Sequence, residues 1–161
     1  MSTVYLALGS NVGEKNKYIE SAITLLQENI SGIKRANIYE SKAVGYTNQA
    51  NFLNTALKGS TDLSPEKLLD FIKEVEITVG RIRRFKLGPR EIDIDIIFYA
   101  DKKYESKELI IPHPSYQDRD FVLRPLLDIN DDLKDPISGQ SLSEILESIP
   151  ENDRSIIDSI N

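Results

Sequence analysis

Apolar positions along this chain follow two periods, and the switches between them outline the fold. Val4-Tyr5-Leu6-Ala7-Leu8 is a short apolar run ended by Gly9-Ser10-Asn11, the signature of a buried first strand. Ile19, Ile23, Leu26 and Ile30 then recur at helical spacing and predict a helix over 14–29. Residues 33–41 read as a second strand. The polar stretch 42–51, with Gly45, is too long for a tight hairpin, and Phe52-Leu53-Asn54-Thr55-Ala56-Leu57 reads as a third strand. Ser64-Pro65-Glu66 starts a helix, with Ser64 as N-cap and Pro65 at the first helical position. Leu68, Ile72, Val75 and Val79 form its apolar stripe, Gly80 closes it, and Asp93–Tyr99 is the next strand. The order β-α-β-β-α-β predicts an α+β fold: a ferredoxin-like core, with an antiparallel sheet backed by two helices. Beyond residue 101 the pattern predicts a hairpin or small strands, a proline-rich turn and a short helix near 121–128. A last helix starts at Ser141, where Ser141 and Glu144 fit a capping box. No repeat, low-complexity tract or linker interrupts the pattern, so one domain over residues 1–161 is expected.

Composition narrows the function. A hydrophobic fraction of 40% and a charged fraction of 29% are ordinary for a soluble globular protein. The absence of cysteine excludes disulfides, thiolate metal sites and cysteine nucleophiles. There is no long apolar span and no basic leader at Met1-Ser2-Thr3-Val4-Tyr5, so a cytoplasmic location is expected. A net charge of −6 argues against a general nucleic-acid or anionic-membrane surface. Against that acidic background the dense cationic segment Arg81, Arg83, Arg84, Lys86, Arg90 is a local feature.

The segment Gly88-Pro89-Arg90-Glu91-Ile92-Asp93-Ile94-Asp95-Ile96-Ile97-Phe98-Tyr99 carries the chemistry. Asp93 and Asp95 share one face of the strand, and Ile92, Ile94 and Ile96 share the other. An isolated D-x-D of this kind is ordinarily a solvated face. Here Ile96-Ile97-Phe98 breaks the alternation, the pattern of a strand covered on both faces, where carboxylates need compensating charge. Two carboxylates about 7 Å apart along a strand can hold a pair of Mg²⁺ ions against a polyphosphate. The arginines upstream suit phosphate because each planar guanidinium offers paired donors. Nucleotide phosphate chemistry is therefore the leading reading.

Other residues add less. His113, the only histidine, is flanked by prolines in Ile111-Pro112-His113-Pro114, which favours a positioned donor over an idle surface group, and Arg119 follows on the same loop. One histidine and no cysteine make a zinc site a poor fit. Phe52 and Asn54 face the same side of a strand. With Phe121 they can stack on a flat heterocycle and read its edge; the bland alternative is a core ring and a solvated amide. Glu76 lies one residue off the Val75 stripe and reads as a helix-surface charge. Gly9-Ser10-Asn11 is only a weak phosphate loop, lacking a following Lys-Ser/Thr.

Taken together these segments resemble the 6-hydroxymethyl-7,8-dihydropterin pyrophosphokinase family. The matching residues are Tyr5–Asn11, Val44-Gly45-Tyr46 with Gln49, Asn51–Asn54, Glu76, Gly80-Arg81-Ile82-Arg83 and Gly88–Ile96. They continue with Pro112-His113-Pro114 and Arg119-Asp120-Phe121-Val122-Leu123-Arg124-Pro125-Leu126, in order and at family spacing. The resemblance implies transfer of the β,γ-pyrophosphoryl group of ATP to the hydroxymethyl oxygen of the pterin, with release of AMP. It implies that Asp93 and Asp95 hold two Mg²⁺ ions, with ATP as co-substrate. Arg81, Arg83 and Arg90 are expected to clamp phosphates, Arg83 and Arg90 acting on transition-state charge. His113 and Arg119 are expected on the ATP phosphates, and Glu76 and Ile96 beside the nucleoside. The pterin is expected between Phe52 and Phe121, its edge read by Asn54 and by the backbone of Ser41, Val44 and Gly45. A monomer is expected, with a dimer as the alternative. The 42–51 and 84–88 loops are expected to act as lids.

Three departures stand out. Leu87 takes the place of a common tryptophan before Gly-Pro-Arg, and the segment from Arg83 to Gly88 is a residue shorter, so the aromatic seal falls in part to Phe85. Lys73 stands where glutamine is frequent, and that nucleotide contact is not carried over. Ser41-Lys42-Ala43 replaces a more usual proline run, which makes the loop more flexible. Two rivals differ in testable ways. A nucleotidyltransferase keeps its Gly-Ser element close to D-x-D in sequence and releases pyrophosphate rather than AMP. A non-catalytic ligand-sensing module has no need of an aspartate pair facing arginines.

Overall fold

In β1 (Ser2–Ser10) every residue from Val4 onward is buried, and successive side chains enter two different cores. The computed structural model describes residues 1–160. Val4, Leu6 and Leu8 pack with α1 (Lys15–Leu26) and α2 (Pro65–Val79) on one face of the sheet. Tyr5 and Ala7 pack on the other face with α3 (Asp120–Ile129) and α4 (Leu142–Ser148). The remaining strands are β2 (Ser31–Arg35), β3 (Tyr39–Ser41), β4 (Phe52–Thr61), β5 (Asp93–Tyr99) and β8 (Ile156–Ser159), with a small hairpin of β6 (Tyr104–Glu105) and β7 (Ile110–Ile111). The main sheet runs β5-β1-β4-β3-β8, with β2 also on β4, and all its pairings are antiparallel. This is the expected ferredoxin-like order. The C-terminal helices turn the expected two layers into three, because Leu123, Leu126, Leu142 and Ile145 cover the second sheet face.

The helices form where capping and periodicity place them. The Ser64 hydroxyl accepts the Lys67 N–H at 3.3 Å, Pro65 occupies the first turn, and Leu68, Ile72 and Val75 are buried. The Ser141 hydroxyl caps α4 in the same way. The first helix ends at Leu26, short of residue 29.

Three features depart from the sequence pattern. The strand expected over 33–41 is two strands on one edge of β4. Arg35 faces Leu57 and Tyr39 faces Asn54, four steps against three, so a residue loops out between them. Thr55 stabilises the interruption, its hydroxyl donating to the carbonyls of Ala36 and Asn37, each at 3.1 Å. The second departure is a bulge in β5: Tyr5 faces Phe98 and Leu6 faces Ile96, leaving Ile97 unpaired. Ile97 and Phe98 therefore both enter the α3/α4 core, while Ile94, Ile96 and Tyr99 enter the other. The third is β8, four residues that read as no strand, held on β3 by pairing of Ser41 with Ile156 and Tyr39 with Ser159. Among the described residues no helix is long and apolar enough to cross a membrane.

Candidate active site

One end of the sheet gathers the chemistry. The C-terminal end of β1 and the N-terminal ends of β4 and β5 lie side by side, pairing Gly9 with both Asn54 and Asp93. They open into a pocket of about 130 Å³ whose walls include Phe52, Asn54, Asp93 and Asp95. Loop 42–51 adds Val44 and Gly45, β3 adds Ser41, and the start of α3 adds Arg119 and Phe121. All six residues expected around the heterocycle thus line one cavity with Arg90 and both aspartates.

The pocket floor depends on Gly9. A Cβ there would lie 2.8 Å from Asn54 Oδ1, so only glycine leaves room for the Asn54 side chain. Asn54 Nδ2 donates to Ser41 Oγ at 2.6 Å, which fixes the orientation of a buried amide. Phe52 is buried as well, and the Arg90 guanidinium stacks over its ring at 4.8 Å. On the facing wall the Arg119 guanidinium lies 5.8 Å from the Phe121 ring centre. Each aromatic ring is therefore paired with a cation that lines the same pocket.

Asp93 sits between two arginines, 3.1 Å from Arg81 and 3.5 Å from Arg90. Asp95 has no ion pair at salt-bridge distance among the described residues. Burial first, and the Asp93 carboxylate second, push its pKa up to about 7, against the pull of Arg119 and Arg90. Glu76 is not the surface charge that the helical pattern suggests. It is buried, and its Oε2 accepts from Arg81 at 2.8 Å and from the Ile94 N–H at 2.9 Å. Burial raises its pKa and Arg81 opposes that rise. Glu76 thereby closes the open edge of β5 and aims Arg81 at Asp93.

His113 is placed by the bulge, its N–H donating to the Ile97 carbonyl at 3.1 Å. Its Nδ1 accepts the Ser115 N–H at 3.1 Å, while burial and then Arg119 hold its pKa down to about 4. The imidazole is neutral at pH 7, with its proton on Nε2, leaving that atom as a donor. The Ile96 side chain lies in the α1/α2 core, away from Asp95. Because the Ile94 N–H turns outward to Glu76, the Ile96 backbone shares that outward direction by strand alternation. Arg83 is exposed and lines a neighbouring cleft of about 770 Å³ with Glu76 and Arg81, outside the main pocket.

Sequence reading missed the residues that hold the loops. Asn11 exchanges two hydrogen bonds with the Arg90 backbone, at 2.8 and 3.0 Å. Its Nδ2 donates to Gln49 Oε1 at 2.8 Å, and Gln49 Nε2 donates to the carbonyls of Tyr46 at 2.5 Å and Leu87 at 2.8 Å. One amide thus joins both lid loops to the turn after β1. Leu87, at φ 63°, lines the pocket itself, and a Cβ on Gly45 would come within 2.7 Å of it. Phe85 lies outside the pocket, edge-on to Tyr46 at 4.9 Å. The short lid segment is anchored by Glu91, which takes Arg84 in a fork at 2.8 and 2.7 Å and the Ile82 N–H at 3.1 Å. The only sequence signal for that anchor was a carboxylate beside an arginine-rich run.

The Glu91 fork gives a pH signature. Arg84 holds the Glu91 carboxyl at about 2, below its ordinary 4.5. Between those values the unfolded chain binds more protons, so the fork's stabilisation is present above about pH 4.5 and is lost as pH falls towards 2. Thermal melts of wild type and Glu91→Gln should differ at neutral pH and converge in that acid window. A gap in melting temperature that stays constant through the window would refute this role.

Comparisons with known proteins agree over most of the chain. Residues 5–131 match the model of the family described as 7,8-dihydro-6-hydroxymethylpterin-pyrophosphokinase (HPPK). A 2-amino-4-hydroxy-6-hydroxymethyldihydropteridine pyrophosphokinase of Aquifex aeolicus is 51% identical over 94% of this chain and 93% of its own length. The Bacillus subtilis protein of the same name is 41% identical over 78% of this chain and 76% of its own. The folic acid synthesis protein fol1 of Pneumocystis carinii is 42% identical over 93% of this chain, which spans only 20% of that longer protein. In the fold comparison, a crystal structure of a Plasmodium falciparum HPPK–DHPS variant with pteroate superposes with a TM-score of 0.71 at 15% identity. That match covers 91% of this chain and 43% of the Plasmodium chain. With the matched family model, a half-identical relative of full length and the shared fold in agreement, this chain belongs to the 7,8-dihydro-6-hydroxymethylpterin-pyrophosphokinase family.

Proposed function

We propose a division of labour among these residues for the reaction of the family, in which the pyrophosphoryl group of ATP passes to the hydroxymethyl group of 6-hydroxymethyl-7,8-dihydropterin. The chain is an ATP-dependent pyrophosphokinase of folate biosynthesis. The observation that carries the assignment of roles is the seating of Asp93 and Asp95 at the rim of a pocket walled by Phe52, Asn54 and Phe121. In this reading the pterin lies between the two rings. Asn54 and the backbone of Ser41, Val44 and Gly45 read its polar edge, which leaves the hydroxymethyl group facing the aspartates.

Asp93 and Asp95 would hold Mg²⁺, two ions in this reading. The donor set fits: Asp93 and Asp95 present two hard carboxylates to one pocket. Mg²⁺ characteristically takes one or two carboxylates and completes its shell with phosphate oxygens and water. The upward pull on Asp95 also fits a site that awaits cationic charge. Bound there, Mg²⁺ neutralises polyphosphate charge and lowers the pKa of a coordinated hydroxyl.

The protein's own groups position and neutralise. Arg90 Nε is buried without a partner among the described residues, and the Arg90 side chain lines the pocket beside both aspartates. Arg90, Arg119 and the Nε2–H of His113 bind phosphate oxygens, and Arg81 is held ready by Glu76 and Asp93. Arg83 acts from the lid on closure. Glu76 and the Ile96 main chain border the nucleoside. The pterin hydroxyl oxygen, its proton released to solvent, bonds to the β-phosphorus as the bond from that phosphorus to the α,β-bridging oxygen breaks, and AMP leaves with the bridging oxygen. Catalysis is then chiefly orientation and charge stabilisation.

The test is product analysis after incubation with 6-hydroxymethyl-7,8-dihydropterin and MgATP. Equimolar AMP and pterin diphosphate are expected. Pyrophosphate release, or no AMP from folded protein, would overturn the reading.

A further inference from the structure

Asp120 is buried and carries no ion pair among the described residues, yet it lies outside the pocket that its two sequence neighbours line. Its Oδ2 accepts the backbone N–H groups of Ser155 and Ile156, both at 2.9 Å, and its Oδ1 accepts the Ser155 hydroxyl at 2.7 Å. Three donors converge on one buried carboxylate, all from a segment 35 and 36 residues away in the chain. That concentration exceeds what a chance tail contact needs.

The contact continues toward the pocket. The Ser155 carbonyl accepts the Lys42 N–H at 2.9 Å, and Ser41 pairs with Ile156 in the sheet. Ser41 receives the Asn54 amide, and Ser41, Lys42, Val44 and Gly45 line the pocket. The carboxylate itself stands on a rigid base, since Val122, Leu123 and Leu126 of α3 are core residues. A fixed helix therefore grips the C-terminal segment, and that segment supports β3 and the start of the 42–51 loop from outside.

We propose that Asp120 is a positioning residue for the pterin side of the site, acting through Ser155 and β8. It holds Ser41–Gly45 in the binding-competent arrangement without touching substrate. The inference rests on the assignment of the pterin to this pocket. Ligand affinity scales with the fraction of molecules whose site is competent, so releasing the latch weakens pterin binding in proportion. The ATP side is spared, because Glu76, Arg81 and His113 are held by α2, β5 and the Ile97 bulge, while the Arg119 carbonyl is engaged by Val122 and Leu123.

The test compares Asp120→Asn and Ser155→Ala with wild type in steady-state kinetics for both substrates and in titration of intrinsic 6-hydroxymethyl-7,8-dihydropterin fluorescence. Asp120→Asn turns an amide donor against the N–H groups and is expected to raise the pterin KM and Kd about tenfold, with the ATP KM within about twofold of wild type. Ser155→Ala keeps both backbone bonds and is expected to shift the same constants about two- to threefold, so it carries the test if Asp120→Asn does not fold. Leu68→Ala, a cavity in the opposite core, controls for general loss of stability and should move neither KM. Unchanged pterin constants in folded variants, or equal shifts for ATP and pterin, would overturn the proposal. Phe52→Ala separates the two readings: if it leaves pterin affinity unchanged, the pocket assignment itself fails.

Discussion

Asp95→Asn is expected to cut turnover about a thousandfold while making the ligand-free protein more stable. The two effects have one cause. Asp95 is desolvated beside the charged Asp93, and its pKa is pushed up to about 7. A carboxyl with a raised pKa keeps protons in the folded state that the unfolded chain has released. Its contribution therefore turns increasingly unfavourable as pH rises from its ordinary 3.8 towards 7. Asn has the same shape and no charge, so at pH 8 the variant should gain about 2 kcal/mol, after allowance for partial exposure. The cost appears in catalysis. Losing one of the two carboxylates proposed to hold Mg²⁺ should remove about 4 kcal/mol of transition-state stabilisation, roughly a thousandfold in kcat. Added Mg²⁺ should raise the melting temperature of wild type more than that of the variant. A variant that is both less stable at pH 8 and still active would contradict the role assigned to Asp95.

Arg90→Ala should cost about 100- to 1,000-fold in kcat/KM, the loss expected when one preorganised donor to developing charge is removed. Two contacts argue for this size: stacking on Phe52 at 4.8 Å and the Asp93 pair at 3.5 Å. Among the described residues Arg90 is the one cation that touches both the aromatic wall and an aspartate. Arg90→Lys should recover little, since an ammonium reproduces neither the planar stack nor the paired donors. The backbone of Arg90 stays pinned by Asn11 in either variant, so the lid should not collapse. Activity within about tenfold of wild type for the Lys variant would show that only charge matters at this position.

Much of the site was legible in the chain because it sits on regular strands. Strand alternation alone puts Asp93 with Asp95 and Phe52 with Asn54, and the pocket contains all four. Ser64, Pro65 and Ser141 announced their helices through local bonds within a few residues. What stayed hidden depends on contacts distant in sequence. Glu76 looks exposed on a helical wheel, and its burial depends on Arg81 and the β5 edge. Asn11, Gln49 and Asp120 act through side-chain bonds to backbone or amide groups far along the chain, which leave no periodic trace. Strand β8 has too few residues to show alternation and exists because β3 offers it an edge. Glycine patterns likewise mark a need without naming the neighbour: Gly9 matters because of Asn54, Gly45 because of Leu87.

The single unpaired residue in β5 gives that strand two independent phases. Upstream of Ile97 the odd positions line the pocket and the even ones enter the α1/α2 core; downstream the parity is reversed for Phe98 and Tyr99. The strand behaves like a gear with one slipped tooth. Its catalytic half can change without turning over the half that packs Phe98 against Tyr5 and Tyr116. Deleting Ile97 would restore a plain alternation in which Asp95, Phe98 and Tyr99 keep their layers, and its cost would fall on the α3/α4 core, which loses the Ile97 side chain, and on His113, which loses the carbonyl that holds it.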